Sequence, residues 1–529
     1  LNGDINLSRK VKFTTDLFYT KGTNTQPAGM SPNEIVQRGI SMARLWPAKF
    51  ADGQYGDAGQ TNRINPVAAA EASGLNRAET PTLSVRFALN AEVFRNFVVE
   101  AAYNSRSSWT EAYVARTAYA SYNPNPAGNN YLFAQMVGDS LLSYTNNRLN
   151  SNQYYASGTY SFQVKKNHQF RVQGGFQGLD NLVTSVGASR AGLSNPDRPY
   201  LNLATGSFGA PSGSANDFAL AGFFGRLNYN FKQTYLLEAT GRYDGSSRFS
   251  QLSGKQWGFF PSVSAGWVIS KETFMEKLDF INYAKLRVSY GKLGNQELGS
   301  NYPFVAQLNA GTAYYFNNTL TPGSSLNNIP NETVSWENSA QSNIGVDLAF
   351  LKSKLNVTFD IYQKKITDML IDFPVANALG YAGSSVIPAN AGSMVNKGWE
   401  FSANYRDKVG DFNYSITANL SDVRNEVLDT KGLDIVQGNQ VSRAGFPVRA
   451  YQLYRTNRLY QPGENYNLPY NGTRITGAGD IKYVDMDGND TLNAKDRMLM
   501  GNNFPRYDFS LNLNADYKGF DLNIFLFGV

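Results

Sequence analysis

No cysteine and only one histidine, His168, occur in this sequence. A disulfide framework, zinc fingers and cysteine nucleophiles are therefore excluded, and a serine triad or a histidine metal site would rest on His168 alone. That residue lies in the polar stretch Val164-Lys165-Lys166-Asn167-His168, which reads as a surface turn. No run of about 18 apolar residues exists, so membrane-spanning helices are excluded. Charge of one sign is also missing as a tract. The 48 basic and 42 acidic residues are spread along the chain, so the net charge of +6 marks no nucleic-acid grip. The N-terminal Leu1-Asn2-Gly3-Asp4-Ile5-Asn6-Leu7 alternates like a strand without a leader's charged and apolar regions, so the chain is expected to begin inside a domain.

What the sequence does have is apolar content (42%), aromatic residues (13%) and 48 glycines over 529 residues, ample for a large ordered body. The dominant pattern is alternation with period two in segments of about ten residues. Leu355, Val357, Phe359 and Ile361 share one face against Asn356, Thr358 and Asp360. Tyr507, Phe509, Leu511, Leu513, Ala515 and Tyr517 interleave with Asp508, Ser510, Asn512, Asn514 and Asp516. Successive side chains of a strand point to opposite faces, so each segment has one oily and one wet surface.

These segments are expected to pair through short polar turns at Ser8 to Lys10, Ala91 to Asn96, Lys165 to His168, Phe231 to Thr234, Lys277 to Asn282, Leu351 to Lys354, Asp407 to Asp411 and Tyr517 to Gly519. Between the pairs lie long Gly/Asn/Pro-rich connections, roughly Thr20 to Pro81, Asn104 to Tyr154, Gly178 to Leu220, Gly291 to Ser339, Lys364 to Lys397 and Asp422 to Phe504. Short turns at one rim and long loops at the other characterise outer-membrane barrels. The eight hairpins predict about sixteen strands in up-and-down order.

A soluble sandwich also alternates, so the chemistry of the faces decides between them. Tyr235 and Tyr243 bracket Leu237, Ala239 and Gly241, and Tyr507 and Tyr517 bracket a longer apolar face. Ten residues at about 3.3 Å each and a tilt near 40° climb roughly 25 Å, the height of the apolar band between aromatic girdles. The quoted apolar faces carry no Asp, Glu, Lys or Arg. The opposite faces carry Arg226, Glu238, Arg242, Lys285, Arg287, Asp347, Asp360, Asp508 and Asp516, which need water or a polar plug. The predicted class is all-β, a wide transmembrane antiparallel barrel. Its last strand, Phe520 to Leu526, lacks a partner in the sequence, so both flanks are expected to continue beyond this chain.

Four blocks carry a family resemblance. Tyr235 to Phe249 is followed by Trp257-Gly258-Phe259-Phe260-Pro261-Ser262-Val263-Ser264-Ala265-Gly266-Trp267-Val268-Ile269-Ser270. Next come Leu286-Arg287-Val288-Ser289-Tyr290-Gly291-Lys292-Leu293-Gly294-Asn295, then Trp336-Glu337-Asn338 with Asn343-Ile344-Gly345-Val346-Asp347, then Asn396-Lys397-Gly398-Trp399-Glu400-Phe401. The chain resembles the SusC/RagA family of TonB-dependent outer-membrane transporters, from about residue 220 onward and more weakly before. The resemblance implies a 22-stranded barrel, of which residues 1–529 would supply about 16 strands, with an N-terminal plug outside this chain. It implies coupling to a TonB complex and a SusD-like surface lipoprotein over the mouth. It also implies active import of oligosaccharides or peptides in a Gram-negative, Bacteroidetes-like outer membrane in contact with lipid. A passive porin-type diffusion channel is the alternative. No phosphate-cradling loop or catalytic set is recognisable, so no enzyme is expected.

One loop, residues 480–497, has a DxDG pattern. Asp485, Asp487, Asn489, Thr491, Asn493 and Asp496 place oxygens at the spacing with which a loop wraps a calcium ion. Asp490 stands where the EF-hand pattern has glycine, and Asp496 is shorter than the usual glutamate. Bound calcium, a metal-free Asp/Asn-rich turn and a catalytic carboxylate pair are the three readings. Ser31-Pro32-Asn33-Glu34 predicts a capped helix from Pro32 to Ala43 in the first long loop, as a lid or as a plain loop helix. Tyr314, Tyr315 and Phe316 are candidates for stacking on sugar rings, against ordinary loop packing or contact with the lipoprotein.

Overall fold

The structure, a computed structural model, describes every residue except 43–46, 58–63, 125–130, 194, 317, 327, 376–385 and 465–476. One antiparallel sheet of 16 strands dominates it, and each strand neighbours those that precede and follow it along the wall. The wall strands are β1 (Asn2–Ser8), β2 (Val11–Pro27), β3 (Gly74–Phe94), β4 (Phe97–Arg116), β5 (Leu141–Val164), β6 (His168–Ala191), β7 (Ser212–Phe231) and β8 (Tyr235–Ser246). They continue as β9 (Trp257–Val268), β10 (Ile281–Asn295), β11 (Glu337–Phe350), β12 (Leu355–Thr367), β13 (Ser393–Val409), β14 (Phe412–Asp429), β15 (Tyr507–Tyr517) and β16 (Phe520–Gly528). The chain divides into two compact units, Leu1–Gly158 with Phe176–Ala221, and Thr159–Gly175 with Gly222–Val529.

Seven of the eight expected turns close hairpins where the sequence places them. Two-residue links with φ positive at both positions match the twist of paired strands. Lys232 and Gln233 (φ 52° and 56°) and Lys518 and Gly519 (φ 48° and 89°) adopt that conformation. The eighth differs. β9 ends at Val268 and β10 starts at Ile281, with single 3₁₀ turns at Ile269–Lys271 and Thr273–Met275 between them. The expected turn at Lys277 to Asn282 is only the end of this longer link. Its Glu272 carboxylate accepts hydrogen bonds from Tyr235 Oη at 2.6 Å and Trp267 Nε1 at 2.9 Å, so the link ties down two girdle rings.

The strands are longer than the expected ten residues: β5 and β6 each have 24. At about 3.3 Å per residue and a 40° tilt such a strand rises roughly 60 Å, more than twice the apolar band. The excess lies on the loop side, because the other ends of β5 and β6 meet in a tight turn. The long connections shrink accordingly; β2 and β3 stay paired as far as Pro27 opposite Leu75.

The oily faces do not meet a second layer. Ile344 and Ile361, directly opposite each other on β11 and β12, are 57% and 55% exposed, and Leu237, Val263, Val288, Ile416 and Phe509 are likewise exposed. Rings gather at two heights. At the turn side Phe94 stacks on Phe97 at 4.7 Å in one unit, while Phe162, Phe170 and Tyr229 form a chain at 4.9 Å spacing in the other. Nearer the loops Tyr103 meets Tyr154 at 5.5 Å, and Tyr243 stacks on Trp257 at 5.1 Å. His168 belongs to the lower ring set and is no bare turn residue. Its Nδ1 lies 2.9 Å from Tyr229 Oη and its ring 4.6 Å from Phe231.

The capped helix forms as Pro32–Ser41. Glu34 Oε2 accepts from Ser31 N at 3.0 Å, and Ser31 Oγ accepts from Glu34 N at 3.4 Å. The expected end at Ala43 lies outside the described residues.

Candidate functional site

The wet face of the wall is a network of ion pairs whose geometry explains two of the sequence blocks. Arg287 on β10 lies opposite Gly345 on β11, which lies opposite Asp360 on β12. The guanidinium reaches Asp347 (Nε at 2.8 Å, Nη2 at 3.0 Å) and crosses Gly345 to Asp360 (Nη2 at 3.0 Å, Nη1 at 3.2 Å). A Cβ at Gly345 would collide with both Asp360 Oδ1 and Arg287 Nη2, so glycine is what lets one arginine clamp two carboxylates across a strand. Arg226 meets Glu238 at 2.6 Å and Arg242 meets Asp244 at 2.8 Å on the same kind of face. Beside this network Asp360, Glu400 and Asp508 line a cleft of about 270 Å³ with Ser402, Asn419 and Ser510. Sequence reading placed Asp360 and Asp508 on the wet face but missed Glu400. The paired register of β12 and β13, Asp360 opposite Glu400, is what brings it in.

The loops on the far side of β8 and β10 fold onto a buried cluster. Phe249 (0% exposed), Phe260, Val334 and Trp336 pack together, with the ring of Trp336 5.3 Å from Phe249 and 5.2 Å from Phe260. Arg248, 5% exposed, donates to Asn301 Oδ1 at 2.8 Å, Gln296 Oε1 at 3.0 Å and Glu297 Oε2 at 3.0 Å. A Cβ at Gly294 would run into the Phe260 ring. Arg248, Phe249 and Trp336 lie inside the quoted blocks, yet nothing in their spacing signalled that they meet.

In the DxDG loop the structure brings together the three carboxylates among the six candidate ligands. One carboxylate oxygen each of Asp485, Asp487 and Asp496 lies within 4.8 Å of the others. That is the separation two oxygens have across a cation when each is about 2.4 Å from it, as around calcium. Asp496 is fully buried and accepts from Met486 N at 2.8 Å and Asn493 N at 2.7 Å; Asp485 accepts from Gly488 N and Asp490 N, both at 2.7 Å. Burial works against the charge of Asp485, but the backbone N–H groups of Asp490, Gly488 and Asn489 outweigh it and hold the carboxyl below its usual range. Asp490 adopts φ 57°, so the left-handed turn that glycine would supply forms without it. Asn489 and Asn493 have other work: their Oδ1 atoms accept from Thr491 N at 2.8 Å and Lys495 N at 2.9 Å. The donor set of oxygens fits a hard divalent cation, which Asp485, Asp487 and Asp496 would hold.

Tyr314, Tyr315 and Phe316 end one strand of a separate hairpin, Leu308–Phe316 with Thr319–Leu326. They are 68%, 66% and 63% exposed, with the rings of Tyr314 and Phe316 5.0 Å apart.

An exposed oily face between two ring belts, a wet face of clamped charges and tight turns opposite long loops define the wall of a membrane-spanning outer-membrane β-barrel. A family model described as "TonB dependent receptor-like, beta-barrel" matches residues 32–529, and the chain belongs to that family. It is 30% identical to TonB-dependent receptor P3 of Formosa agariphila over 74% of this chain and 40% of that protein. It is 31% identical to TonB-dependent receptor SusC of Bacteroides thetaiotaomicron over 58% of this chain and 31% of that protein. Among solved structures, the RagAB peptide transporter matches 99% of this chain and 57% of that chain with a TM-score of 0.80 at 19% identity, which shows the shared fold. The resemblance to the SusC/RagA type is thereby confirmed, and with it the outer-membrane location. The chain spans less than half the length of these curated relatives.

Proposed function

We propose that this chain is the greater part of the barrel wall of an active importer, energised through TonB, that takes up oligosaccharides or peptides with the help of a SusD-like surface lipoprotein. The observation that carries the reading is the wet face: Arg287 clamped between Asp347 and Asp360 supplies a fixed polar wall of the kind against which a hydrated or plug-filled lumen can rest. The plug and the TonB-contacting segment belong to the remainder of the protein in this proposal. RagAB, which shares the fold, is a peptide transporter, and that cargo is one of the two classes proposed for this chain. The open Tyr314-Tyr315-Phe316 edge suits sugar rings and lipoprotein contact alike. Calcium at Asp485, Asp487 and Asp496 has a structural role here, stiffening a long extracellular loop.

The test is uptake of a labelled oligosaccharide or peptide mixture by cells carrying the full-length protein, before and after the proton gradient is collapsed. Uptake that stops supports an energised importer; uptake that continues unchanged supports the passive porin instead. Pull-down of a neighbouring surface lipoprotein checks the partner, and titration of the purified protein with calcium checks the loop.

A further inference from the structure

The outward side of the wall does not end at the upper aromatic belt. From the Tyr103–Tyr154 pair the same face of β4 and β5 continues as a polar stripe. Tyr103 Oη and Ser105 Oγ each donate to Asn152 Oδ1 at 2.9 Å, Ser107 Oγ donates to Asn150 Oδ1 at 2.9 Å, and Asn152 Nδ2 donates to Asp180 Oδ2 at 2.9 Å. Ten residues beyond Tyr103 and Tyr154 on their strands stand Tyr113 and Tyr144, a second ring pair at 5.8 Å. Ten residues of tilted strand put this pair roughly 25 Å above the upper belt. There Arg77, Glu79, Glu111, Tyr113, Tyr144 and Asn146, at the alternate positions that continue the face of Tyr103 and Tyr154, line a cavity of about 500 Å³.

The chemistry of the cavity selects its occupant. Glu79 is held by Lys21 at 2.6 Å and Arg77 at 2.7 Å, and Glu111 adds a second carboxylate to the lining. The lining itself sets one arginine, Arg77, against two carboxylates, a poor seat for a phosphate. Tyrosine rings, a carboxylate and an amide are groups that stack on and hydrogen-bond to sugar rings. Because the stripe rises from the hydrocarbon-facing surface and points sideways, what it meets is the layer standing above the outer leaflet.

We infer that this cavity seats the saccharide headgroup of an outer-leaflet glycolipid, a lipopolysaccharide core sugar, with a ring against Tyr113 and Tyr144 and hydroxyls on Glu111 and Asn146. The polar stripe below it, from Asn152 to Asn150, guides the same headgroup along the wall. This is separate from cargo capture, since the site lies on the outside of the wall.

The experiment uses the full-length protein purified from its outer membrane in mild detergent, with retained glycolipid measured by mass spectrometry. Asn146→Ala removes only an amide, and Tyr113→Phe keeps the ring while removing a hydroxyl. Heat-modifiable migration reports whether each variant's barrel is intact. The expected result is glycolipid retained by the parent protein and reduced about tenfold in Asn146→Ala combined with Glu111→Gln. Added lipopolysaccharide in micelles should rebind to the delipidated parent, and lipid-free core oligosaccharide should bind it more weakly. Equal retention in parent and variants overturns the assignment. So does equal binding of the lipid-free oligosaccharide, which would make the ligand a soluble glycan, or a parent protein whose two copies cover this face with no glycolipid retained.

Discussion

Two extracellular loop regions of the same unit behave in opposite ways. Around Phe249 and Trp336 the loops bury rings and an arginine; in the hairpin Leu308–Phe316 with Thr319–Leu326 three consecutive large side chains stand in the open. Both come from the long connections, and both are rich in aromatics. The difference is what lies beneath them. The first region has Phe260 on the wall to pack against and Gly258 and Gly294 to admit the rings. The second pairs only with itself, and a lone hairpin gains little from burial. The loops of this receptor thus divide into struts that fix the mouth and edges that reach outward.

The comparison breaks most visibly if the strut is not a strut. Trp336→Ala or Phe249→Ala should lower stability by about 3–5 kcal/mol, read as a lower midpoint of heat-modifiable migration. A loss under about 1 kcal/mol would put these rings on the surface. On the wall itself, Leu237→Arg should cost about 2–4 kcal/mol at mid-depth, whereas Thr240→Arg on the wet face should cost much less. Equal effects would mean that the faces are misassigned. Asp496→Asn weakens a fully buried carboxylate that two backbone N–H groups depend on, and about 1–3 kcal/mol of local stability should go with it. Protease nicking within residues 480–497, with and without calcium, measures that loss. Smallest of all, Tyr315→Ala should leave stability within about 0.5 kcal/mol while lowering uptake. A destabilised Tyr315→Ala protein would show that the hairpin is a strut too.

Period-two alternation made the eight hairpins and the two faces legible because lipid demands one oily side at every other residue. It failed to show how far the strands run. Above the upper belt both faces of β5 are wet, with Asn152, Asn150, Arg148 and Asn146 outward, so alternation vanishes while the backbone pairing continues. The clamp of Arg287 on Asp347 and Asp360 needed the register of three strands, which composition does not carry. The DxDG loop announced its carboxylates by spacing, but Asn489 and Asn493 are taken by backbone caps that spacing cannot reveal. His168 read as a turn residue because its ring partners Tyr229 and Phe231 come from the neighbouring hairpin, some 60 positions away.

The central claim is that hydrocarbon touches Ile344, Ile361 and Ile416 while water or plug touches their strand neighbours. These 529 residues hold no cysteine, so single cysteines at 343, 344, 360, 361, 416 and 417, each carrying a nitroxide in an otherwise cysteine-free full-length protein in bilayers, give a direct measurement. Labels at 344, 361 and 416 should collide with oxygen dissolved in lipid and be shielded from a water-soluble nickel complex, and labels at 343, 360 and 417 should show less oxygen contact. Six labels equally shielded from both relaxants, as in a dry interior between two sheets, would contradict it.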